Sequence, residues 1–355
     1  MEGLRTIVIG AGLHGLGMAR ELTERGGQVV GLVDPSLAGR PVAGLLDPTA
    51  NVAEETGGGG AVVAASLDDL PAGTDAQFAL IAAPVDPAEL EAMVCGCLQR
   101  RINVITIHED AFDPPPEFAA AVDACARTHG VSFLATGVQD VWWVHLPAVA
   151  ASSMSTLRAV RARHAIDLEQ ASRGYGELLA LGGDPAVFPG IRDGFLSAGS
   201  SILGAPLRVL AQLLGLTPGE ISRTIEPVVA ATATRWRLGE RDIAPGTLAG
   251  FTEIASFTTE EGVDFTGTFH FCLTDPEEPY DELLLEGDPE LRLEHRPFPG
   301  DRLTDTIPIA RIPDVIAASP GLHSVAAFAP PRYRHHPASR SVRPIQPSGV
   351  DHEAK

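Results

Sequence analysis

Lysine is almost missing from this chain, which has 355 residues and a single lysine, Lys355, at its last position. This absence excludes a Schiff-base lysine, a phosphate-loop lysine and the Tyr-x-x-x-Lys proton donor of short-chain dehydrogenases. Any catalytic acid or base must therefore be a glutamate, an aspartate, a histidine, a tyrosine or a cysteine.

Cysteine is also scarce, and its spacing does not indicate disulfides. The four cysteines form neither CxxC pairs nor a disulfide framework, and they are Cys95, Cys97, Cys125 and Cys272. We therefore expect buried, reduced thiols. The histidines are scattered and no HExxH motif occurs, so no metal site is predicted.

Basic residues are outnumbered by acidic ones, 26 to 46, and the formal net charge is -20 at pH 7. Such a chain repels nucleic acid and anionic membranes. No apolar run approaches the roughly 18 residues that a membrane span needs, and the first residues lack the architecture of a signal peptide. These features predict a cytoplasmic protein with no nucleic-acid or membrane partner.

A glycine-rich motif follows the first apolar run, residues 6–9. It reads Gly10-Ala-Gly12-Leu-His-Gly15, the G-x-G-x-x-G pattern of dinucleotide-binding turns between a strand and a helix. Gly10 permits the tight turn, Gly12 lets the backbone approach a pyrophosphate, and Gly15 lets the helix pack on the strand. Free N–H groups at the helix N-terminus favour an anion. The residues predicted to contact the cofactor are Gly10, Gly12, Leu13, His14 and Gly15, although His14 could instead point to solvent.

An aspartate ends the second predicted strand, Gln28–Val33. Asp34 lies about 20 residues after the glycines, where an acidic side chain accepts a hydrogen bond from an adenosine ribose hydroxyl. A turn or helix cap before Pro35 is the alternative role. Asp34 favours NAD, but Ser36 and Arg40 are near enough to hold the 2′-phosphate of NADP, so the choice between the two cofactors stays open.

Strands and helices alternate through residue 135, which predicts an α/β fold with a doubly wound parallel sheet of the Rossmann type. The further predicted strands are 61–65, 78–82, 102–107 and 131–135, and the helices are 87–101 and 117–129. Ligands on such sheets lie at the carboxyl ends of the strands. We therefore expect one crevice to collect the residues that follow three of those ends, namely Ala83 and Pro84, His108 and Glu109, and Gln139.

The pattern changes after residue 140. Alternating segments at 157–166, 228–238, 251–259 and 263–273 predict strands, and Glu260-Glu-Gly262 and Gly287-Asp-Pro289 predict hairpin turns. We expect an α+β substrate and dimerisation domain over 141–304, built on an antiparallel sheet. A C-terminal helix within 305–330 is predicted to pack back onto the nucleotide-binding domain of 1–140. The tail, 332–355, is predicted to be disordered.

Several motifs in the same order resemble one family. They are the glycine motif, INVITIHED at 102–110, LATGVQDVW at 134–142, APGTLAG at 244–250, EGDPELRL at 286–293 and IPDVIAASPGL at 312–322. Together they resemble the 2,4-diaminopentanoate dehydrogenase family, of the dihydrodipicolinate-reductase-like superfamily, which includes native amine dehydrogenases acting on aldehydes and ketones. The likeness spans residues 6 to about 333. It implies reductive amination, or its reverse, with NAD or NADP.

The chain departs from the family pattern at positions that, in the family it resembles, face the nicotinamide or the substrate. The family's Asn-Pro becomes Gln139-Asp140, its phenylalanine becomes Trp142, and a Gly-His pair becomes Gly194-Phe195. The substrate is therefore not implied by the resemblance. The residues predicted to line the substrate pocket are Asp140, Trp142, Trp143, Tyr175 and Phe195, although paired tryptophans are as often core at a domain interface.

Glu109 matches the first glutamate of the family's Cys-Glu-Glu segment, which is implied to be the catalytic carboxylate. Interconverting an amine and a carbonyl needs a group that takes a proton from ammonium and then protonates the departing hydroxyl. One carboxylate serves both steps if its pKa is raised toward neutrality. We predict Glu109 in this role, with His108 as the neighbour that tunes or packs against it and Asp110 as a turn or cap residue. A solvated loop carboxylate or a cap for the following segment are the alternatives for Glu109.

These observations predict an NAD(P)-dependent oxidoreductase acting on a C–N bond, with ammonia and a small ketone or aldehyde on one side and the amine on the other. A homodimer is expected. Two alternatives stay open: a reductase of another small carbonyl or imine on the same fold, and a non-catalytic regulator that binds a nucleotide.

Overall fold

The computed structural model describes residues 3–46, 62–169, 173–197, 201–273 and 280–333. Within them the chain forms two six-stranded sheets and one two-stranded ribbon. The first sheet takes strands from both ends of the chain, and the second takes strands from its middle. The tail that is predicted to be disordered lies outside the described residues from position 334 onward.

The first sheet confirms the predicted Rossmann-type topology. Its elements are β1 (Arg5–Ile9), α1 (Leu13–Glu24), β2 (Gln28–Val33), β3 (Phe78–Ile81), α2 (Pro87–Gln99), β4 (Asn103–Thr106), α3 (Pro116–His129) and β5 (Ser132–Ala135). The five strands lie in the order β5-β4-β3-β1-β2, and every pair is parallel. The carboxyl ends of β1, β3, β4 and β5 therefore meet at one edge.

Local sequence explains most of these bounds. The strands β3 and β5 are buried along their whole length, because helices cover both faces of a parallel sheet. Helix α2 begins where the Asp86 carboxylate accepts a hydrogen bond from the Glu89 N–H at 2.9 Å. The predicted strand at 61–65 is wrong in its described part, since Val62 and Ala64 make only isolated bridges.

The middle of the chain builds the second sheet. Its elements are a π-helical segment (Asp140–His145), α4 (Leu146–Ala151), β6 (Thr156–Asp167), α5 (Arg173–Leu178), α6 (Phe188–Ser197), α7 (Gly204–Leu213), β7 (Ser222–Val229), β8 (Thr234–Trp236), β9 (Arg241–Ile243), β10 (Leu248–Thr258), β11 (Asp264–Cys272), β12 (Tyr280–Asp288) and β13 (Leu291–His295). Strands β8 and β9 form the separate ribbon. The single strand predicted at 228–238 is therefore two strands, with a break between Val229 and Thr234.

The second sheet has the order β13-β12-β6-β11-β10-β7. Both predicted hairpins, β10–β11 and β12–β13, are present. The prediction of a wholly antiparallel sheet needs one correction, because β6 and β11 pair in parallel. That pairing brings together strands far apart in sequence, so no hairpin turn signals it. One face is apolar, as on β11, where Phe265, Phe269 and Phe271 alternate with less buried residues.

The C-terminal segment returns to the first sheet. Helix α8 (Gly300–Ala317) begins before the predicted start at 305 and lies against α1. Gly17 makes this approach possible, since a Cβ there would come within 2.0 Å of the Asp305 Oδ2 atom. Strand β14 (Gly321–His323) then adds to the sheet in parallel beside β5. No helix among the described residues is long and apolar enough to cross a membrane.

Candidate active site

The glycine motif forms a tight turn between β1 and α1, with space left beside its middle glycine. Gly10 has a φ of +89°, and a Cβ on Gly15 would lie 1.7 Å from the Gly10 carbonyl oxygen. Both positions therefore require glycine. A Cβ on Gly12 would meet no atom within 4 Å. This space lies in front of the first turn of α1, to which Leu13 and His14 belong, and an anionic group fits there.

Asp34, at the end of β2, is held by hydrogen bonds on both carboxylate oxygens. It accepts from the Ala11 N–H at 2.9 Å and from the Ser36 N–H and hydroxyl at 2.9 and 2.6 Å. Burial by itself would raise the pKa of Asp34, but the hydrogen bonds from Ser36 and Ala11 outweigh it and lower the pKa. The structure thus brings Asp34 and Ser36 together beside the glycine turn, while Arg40 lies exposed.

The loop after β3 faces the same turn. A Cβ on Gly10 would lie 2.7 Å from the Ala82 carbonyl carbon and 2.8 Å from the Ala83 nitrogen. Pro84 follows and is exposed. The predicted cofactor residues Ala83 and Pro84 therefore lie at the same sheet edge as the glycine turn.

Glu109 begins a single helical turn that directly follows β4. His108 is fixed just before it, because a ring nitrogen, Nε2, lies 2.8 Å from the Val85 carbonyl oxygen and donates to it. The other ring nitrogen, Nδ1, lies 3.6 Å from the Asp110 carboxylate. The His108 ring is thus held in place beside Glu109 by its contacts with Val85 and Asp110. This arrangement suits the predicted role of a residue that packs against Glu109.

Glu109 is accessible to solvent, yet it lies in a cleft with protein around it. Burial in this cleft raises the pKa of Glu109. The charges of Asp110 and of Glu253 on β10 also raise it, whereas His108 and His14 lower it. The group is therefore a carboxylate whose ionised form is disfavoured by its surroundings.

Tyr175, on α5, lies near enough to Glu109 to be affected by its charge. The charge of Glu109, followed by burial, raises the pKa of Tyr175 to about 12, so the phenol stays protonated. Its ring contacts Phe271 edge-on at 5.4 Å, Phe271 contacts Phe251 at 5.8 Å, and Phe251 contacts Phe195 at 5.2 Å. Tyr175 and Phe195 thus belong to one aromatic row on the second sheet.

Asp140 does not line a pocket, and this prediction is wrong. Its side chain has no exposed area, and its oxygens accept hydrogen bonds from Arg311 Nε at 2.6 Å, Arg311 Nη2 at 2.8 Å and the Thr136 hydroxyl at 2.7 Å. His145 Nε2 lies 3.2 Å from the same carboxylate. Asp140 therefore joins the π-helical segment to α8. The aspartate that replaces the family residue at this position therefore stabilises the structure through Arg311.

Gln139, Trp142 and Trp143 lie next to Asp140 in sequence and differ in their burial and partners. Gln139 is 8% exposed, and its Oε1 atom is buried without a hydrogen-bond partner in the described part of the chain. Trp143 is 2% exposed and donates to Asp281 at 2.7 Å, so it is core rather than pocket wall. Trp142 is partly buried, with its ring edge-on to His295 and Phe298.

The structure adds residues that were missed in the sequence. Glu253 lies on the apolar face of β10 and forms an ion pair with Arg223 at 2.8 Å. Asp301 and Asp305 reach the glycine turn from α8. A glutamate among alternating apolar residues was the one available signal for Glu253; nothing local marks the two aspartates. No cluster of potential metal ligands is found within the described ranges.

A family model matches more than half of this chain. It describes the C-terminal domain of 2,4-diaminopentanoate dehydrogenase and covers residues 149–341. The chain belongs to the 2,4-diaminopentanoate dehydrogenase family. The family named from the sequence motifs is thereby confirmed, and so is the prediction of an enzyme of the dehydrogenase class.

Three proteins are similar over more than nine-tenths of this family member. The 2,4-diaminopentanoate dehydrogenase of Acetoanaerobium sticklandii is 24% identical over 344 residues, which cover 94% of this chain and 95% of that protein. The amine dehydrogenase of Mycobacterium smegmatis is 27% identical with a TM-score of 0.83, covering 93% and 97%. Myo-inositol dehydrogenase from Lactobacillus casei, at 14% identity and a TM-score of 0.55, covers 92% and 90% and shares the fold.

Proposed function

We propose that this protein is an NAD(P)-dependent amine dehydrogenase that interconverts a small ketone or aldehyde plus ammonia with the corresponding amine. One observation carries the proposal: Glu109, with its pKa raised by burial, follows β4 at the carboxyl edge of the sheet, the same edge at which the dinucleotide turn follows β1. The family membership and the similarity to an amine dehydrogenase support the same reaction.

The residues fit a nicotinamide dinucleotide. The space beside Gly12 suits its pyrophosphate, and the Asp34 carboxylate suits a ribose hydroxyl. The Gln139 Oε1 atom lacks a partner among described groups and suits the N–H₂ of the nicotinamide carboxamide. A bound NAD(P)H would supply the hydride for reduction.

Glu109 handles the protons in this scheme. Its carboxylate takes a proton from ammonium, and the ammonia formed adds to the carbonyl carbon to give a carbinolamine. Glu109 then returns that proton to the departing hydroxyl, which leaves as water and produces an iminium ion. The hydride of a bound NAD(P)H would reduce this ion to the neutral amine, and solvent would supply the proton that makes it an ammonium ion. A pKa raised toward neutrality lets one carboxylate do both steps.

The cleft favours a cationic nitrogen and an apolar substituent. Glu109 and Asp110 place negative charge at one side, which attracts ammonium or an amine cation. The exposed ring of Tyr175 leads into the aromatic row on the other side. We infer that the substrate is a small carbonyl compound with a hydrocarbon group placed against Tyr175.

A homodimer is also proposed, through the second face of the second sheet. The first face packs on α7, where Gly267 approaches Leu203 and Leu207. The second face leaves Ile254 37% exposed on β10. Light scattering coupled to gel filtration should give twice the chain mass, and Ile254→Lys should reduce it to one chain; a monomeric wild type would contradict the assignment.

The reaction is tested by following NAD(P)H oxidation with a panel of short ketones and aldehydes, with and without ammonia. We expect turnover only when ammonia is present, and amine as the product by mass spectrometry. Turnover without ammonia would instead indicate a carbonyl reductase. NAD(P)H binding without turnover on any member of the panel would indicate a nucleotide-binding protein without this activity.

A further inference from the structure

Strands β8 and β9 form a ribbon whose tryptophan is buried against α5. Trp236 is 1% exposed. A Cβ on Gly176, in α5, would lie 2.1 Å from the Trp236 Cζ2 atom, and a Cβ on Gly239, in the turn of the ribbon, would lie 2.0 Å from its Cε3 atom. The backbone at both glycines therefore packs directly on the indole ring. Neither position accepts a larger residue unless the ring moves.

Two further contacts join the ribbon to the segment that includes α5. The Glu169 carboxylate, before α5, accepts a hydrogen bond from the Arg237 N–H. Arg241 Nη1 donates to the Leu181 carbonyl oxygen, after α5, at 2.7 Å. The Arg241 guanidinium also lies 5.9 Å from the centroid of the Trp236 ring. The ribbon thus contacts this segment before, within and after α5, and Trp236 makes the middle contact.

The Trp236 ring is held by packing. Its Nε1 atom has no hydrogen-bond partner among the described residues. A buried N–H without a partner costs free energy, so phenylalanine would suit a purely apolar core at this position at least as well. The atoms that reach Gly176 are Cζ2 and Cη2, at the far edge of the indole, and phenylalanine lacks that edge. The tryptophan therefore provides the contact with α5.

The residue before Gly176 is Tyr175, which belongs to the aromatic row of the second sheet. Its side chain is 41% exposed, and its ring contacts Phe271 edge-on at 5.4 Å. Consecutive residues of a helix point about 100° apart, so α5 presents Gly176 to the ribbon and Tyr175 to Phe271. The Leu179 N–H donates to the Tyr175 carbonyl oxygen at 2.9 Å. A shift of the backbone at Gly176 would therefore carry Tyr175 with it.

We propose that Trp236 is a positioning residue that fixes Tyr175 through Gly176 and thereby sets the affinity for the hydrocarbon group of the substrate. This proposal rests on the proposed function, in which that group lies against Tyr175. Because Trp236 is 1% exposed, it does not itself touch the substrate. Its effect on the reaction passes through Tyr175, which separates it from a residue that only stabilises the fold.

The kinetic test compares KM and kcat along a series of straight-chain aldehydes at saturating ammonia. Trp236→Phe and Gly176→Ala should raise KM about tenfold for the longer aldehydes and little for the shortest, because the contact with Tyr175 grows with chain length. A contact made equally in the ground and transition states affects KM and leaves kcat unchanged. Arg235→Gln is the matched control, since Arg235 forms an exposed ion pair with Asp242 inside the ribbon; it should change neither constant.

A double variant tests whether Trp236 acts through Tyr175. Tyr175→Ala should by itself raise KM with the same dependence on chain length. Adding Trp236→Phe to Tyr175→Ala should then raise KM no further, because both changes remove one and the same contact.

A further measurement needs neither cofactor nor turnover. The chain has three tyrosines, so protein labelled with fluorotyrosine gives three fluorine NMR signals, and the signal of Tyr175 is the one missing from Tyr175→Phe. Trp236→Phe and Gly176→Ala should each shift this signal. The signal of Tyr280, on β12, should stay in place, because its ring lies against Arg296 at 4.3 Å. Trp236→Phe carries the test by itself if Gly176→Ala does not fold.

Two results would overturn the proposal. The first is a Tyr175 signal that is the same in Trp236→Phe as in the wild type, which would confine Trp236 to the core of the ribbon. The second is a KM that rises equally for short and long aldehydes, or that rises further when Trp236→Phe is added to Tyr175→Ala. Failure of the proposed function is separate, because a wild type without turnover leaves the fluorine signals measurable.

Discussion

Two neighbouring parallel strands, β4 and β5, are both followed by acidic residues, and the two acids have opposite surroundings. Glu109, after β4, is accessible to solvent, and burial in the cleft with Asp110 and Glu253 raises its pKa. Asp140, after β5, has no exposed area, and hydrogen bonds from Arg311 outweigh the effect of burial and lower its pKa.

The difference separates a chemical role from an architectural one. A carboxylate whose oxygens are occupied by a guanidinium is held in one protonation state and cannot exchange a proton with a substrate. A carboxylate whose ionised form is disfavoured by burial and like charges has a raised pKa and exchanges a proton more readily than an ordinary carboxylate. Equivalent positions on adjacent strands thus serve different purposes in this fold.

Glu109→Gln should have the greatest consequence for activity. The amide cannot take the proton of ammonium, so kcat should fall by about 10²–10⁴-fold, while NAD(P)H binding is unchanged. Steady-state kinetics and a fluorescence titration measure the two quantities. Asp110→Asn, in the same turn, is the control and should cost far less. Activity within about tenfold of wild type would assign proton handling to another group.

Asp140→Asn should act on stability instead. It removes the carboxylate that pairs with Arg311 Nε and Nη2 and leaves this buried guanidinium with the Asp314 carboxylate, 3.1 Å from Nη1. The loss should be about 3 kcal/mol of unfolding free energy, measured by urea denaturation. The control, Arg127→Gln, breaks an exposed ion pair with Asp123 and should cost less than about 1 kcal/mol. Equal losses in the two variants would mean that the Asp140 pair is no more than a surface interaction.

Two glycines of the turn differ in the space around them, so that replacing each by alanine should have a different effect. Gly12→Ala places its Cβ where no protein atom lies within 4 Å, so the melting temperature should hold while NAD(P)H affinity falls about tenfold or more. Gly15→Ala forces its Cβ onto the Gly10 carbonyl and should lower the melting temperature as well. Undiminished affinity in Gly12→Ala would place the pyrophosphate elsewhere.

The weakest effect is a gain in stability from Glu109→Gln. Above both its folded and unfolded pKa, Glu109 is ionised in each state, and its raised pKa means that the folded state carries a cost. Below both values it is protonated in each state and the cost disappears. The variant should therefore melt slightly higher than wild type at pH 8 and equally near pH 4, whereas Asp140→Asn melts lower at pH 8. A lower melting point of Glu109→Gln at pH 8 would contradict the direction of the pKa.

Much of the first domain could be predicted because its signals are local. The glycine motif, the apolar strands and the helices between them each depend on a few consecutive residues, and the observed bounds of β2 and α3 lie within one residue of the predicted ones. Glu109 was found for the same reason, since the carboxyl end of a buried strand is recognisable in sequence. The aromatic alternation of β10 and β11 likewise predicted their hairpin.

The errors share a physical cause, which is that they depend on partners distant in sequence. The parallel pair β6–β11 and the strand β14 are defined by their neighbours across the sheet and have no turn signal. Asp140 was predicted in the pocket from its place in the family pattern, and its actual partner, Arg311, lies 171 positions away, where no local signal connects the two. Its burial follows from α8 folding back, which no local pattern around residue 140 contains.

Local sequence was enough to predict the Rossmann-type fold, the family and the small set of residues able to transfer a proton. The apolar strands, the glycine motif and the near absence of lysine can all be recognised from consecutive residues or from composition. The tertiary structure was needed to distinguish the exposed carboxylate of Glu109 from the fully buried carboxylate of Asp140. It was also needed to show that His14 pairs with Asp305 at 2.9 Å. Charge–charge and burial effects depend on distances in space, and the chain sets those distances only when α8 and the second sheet close around the cleft.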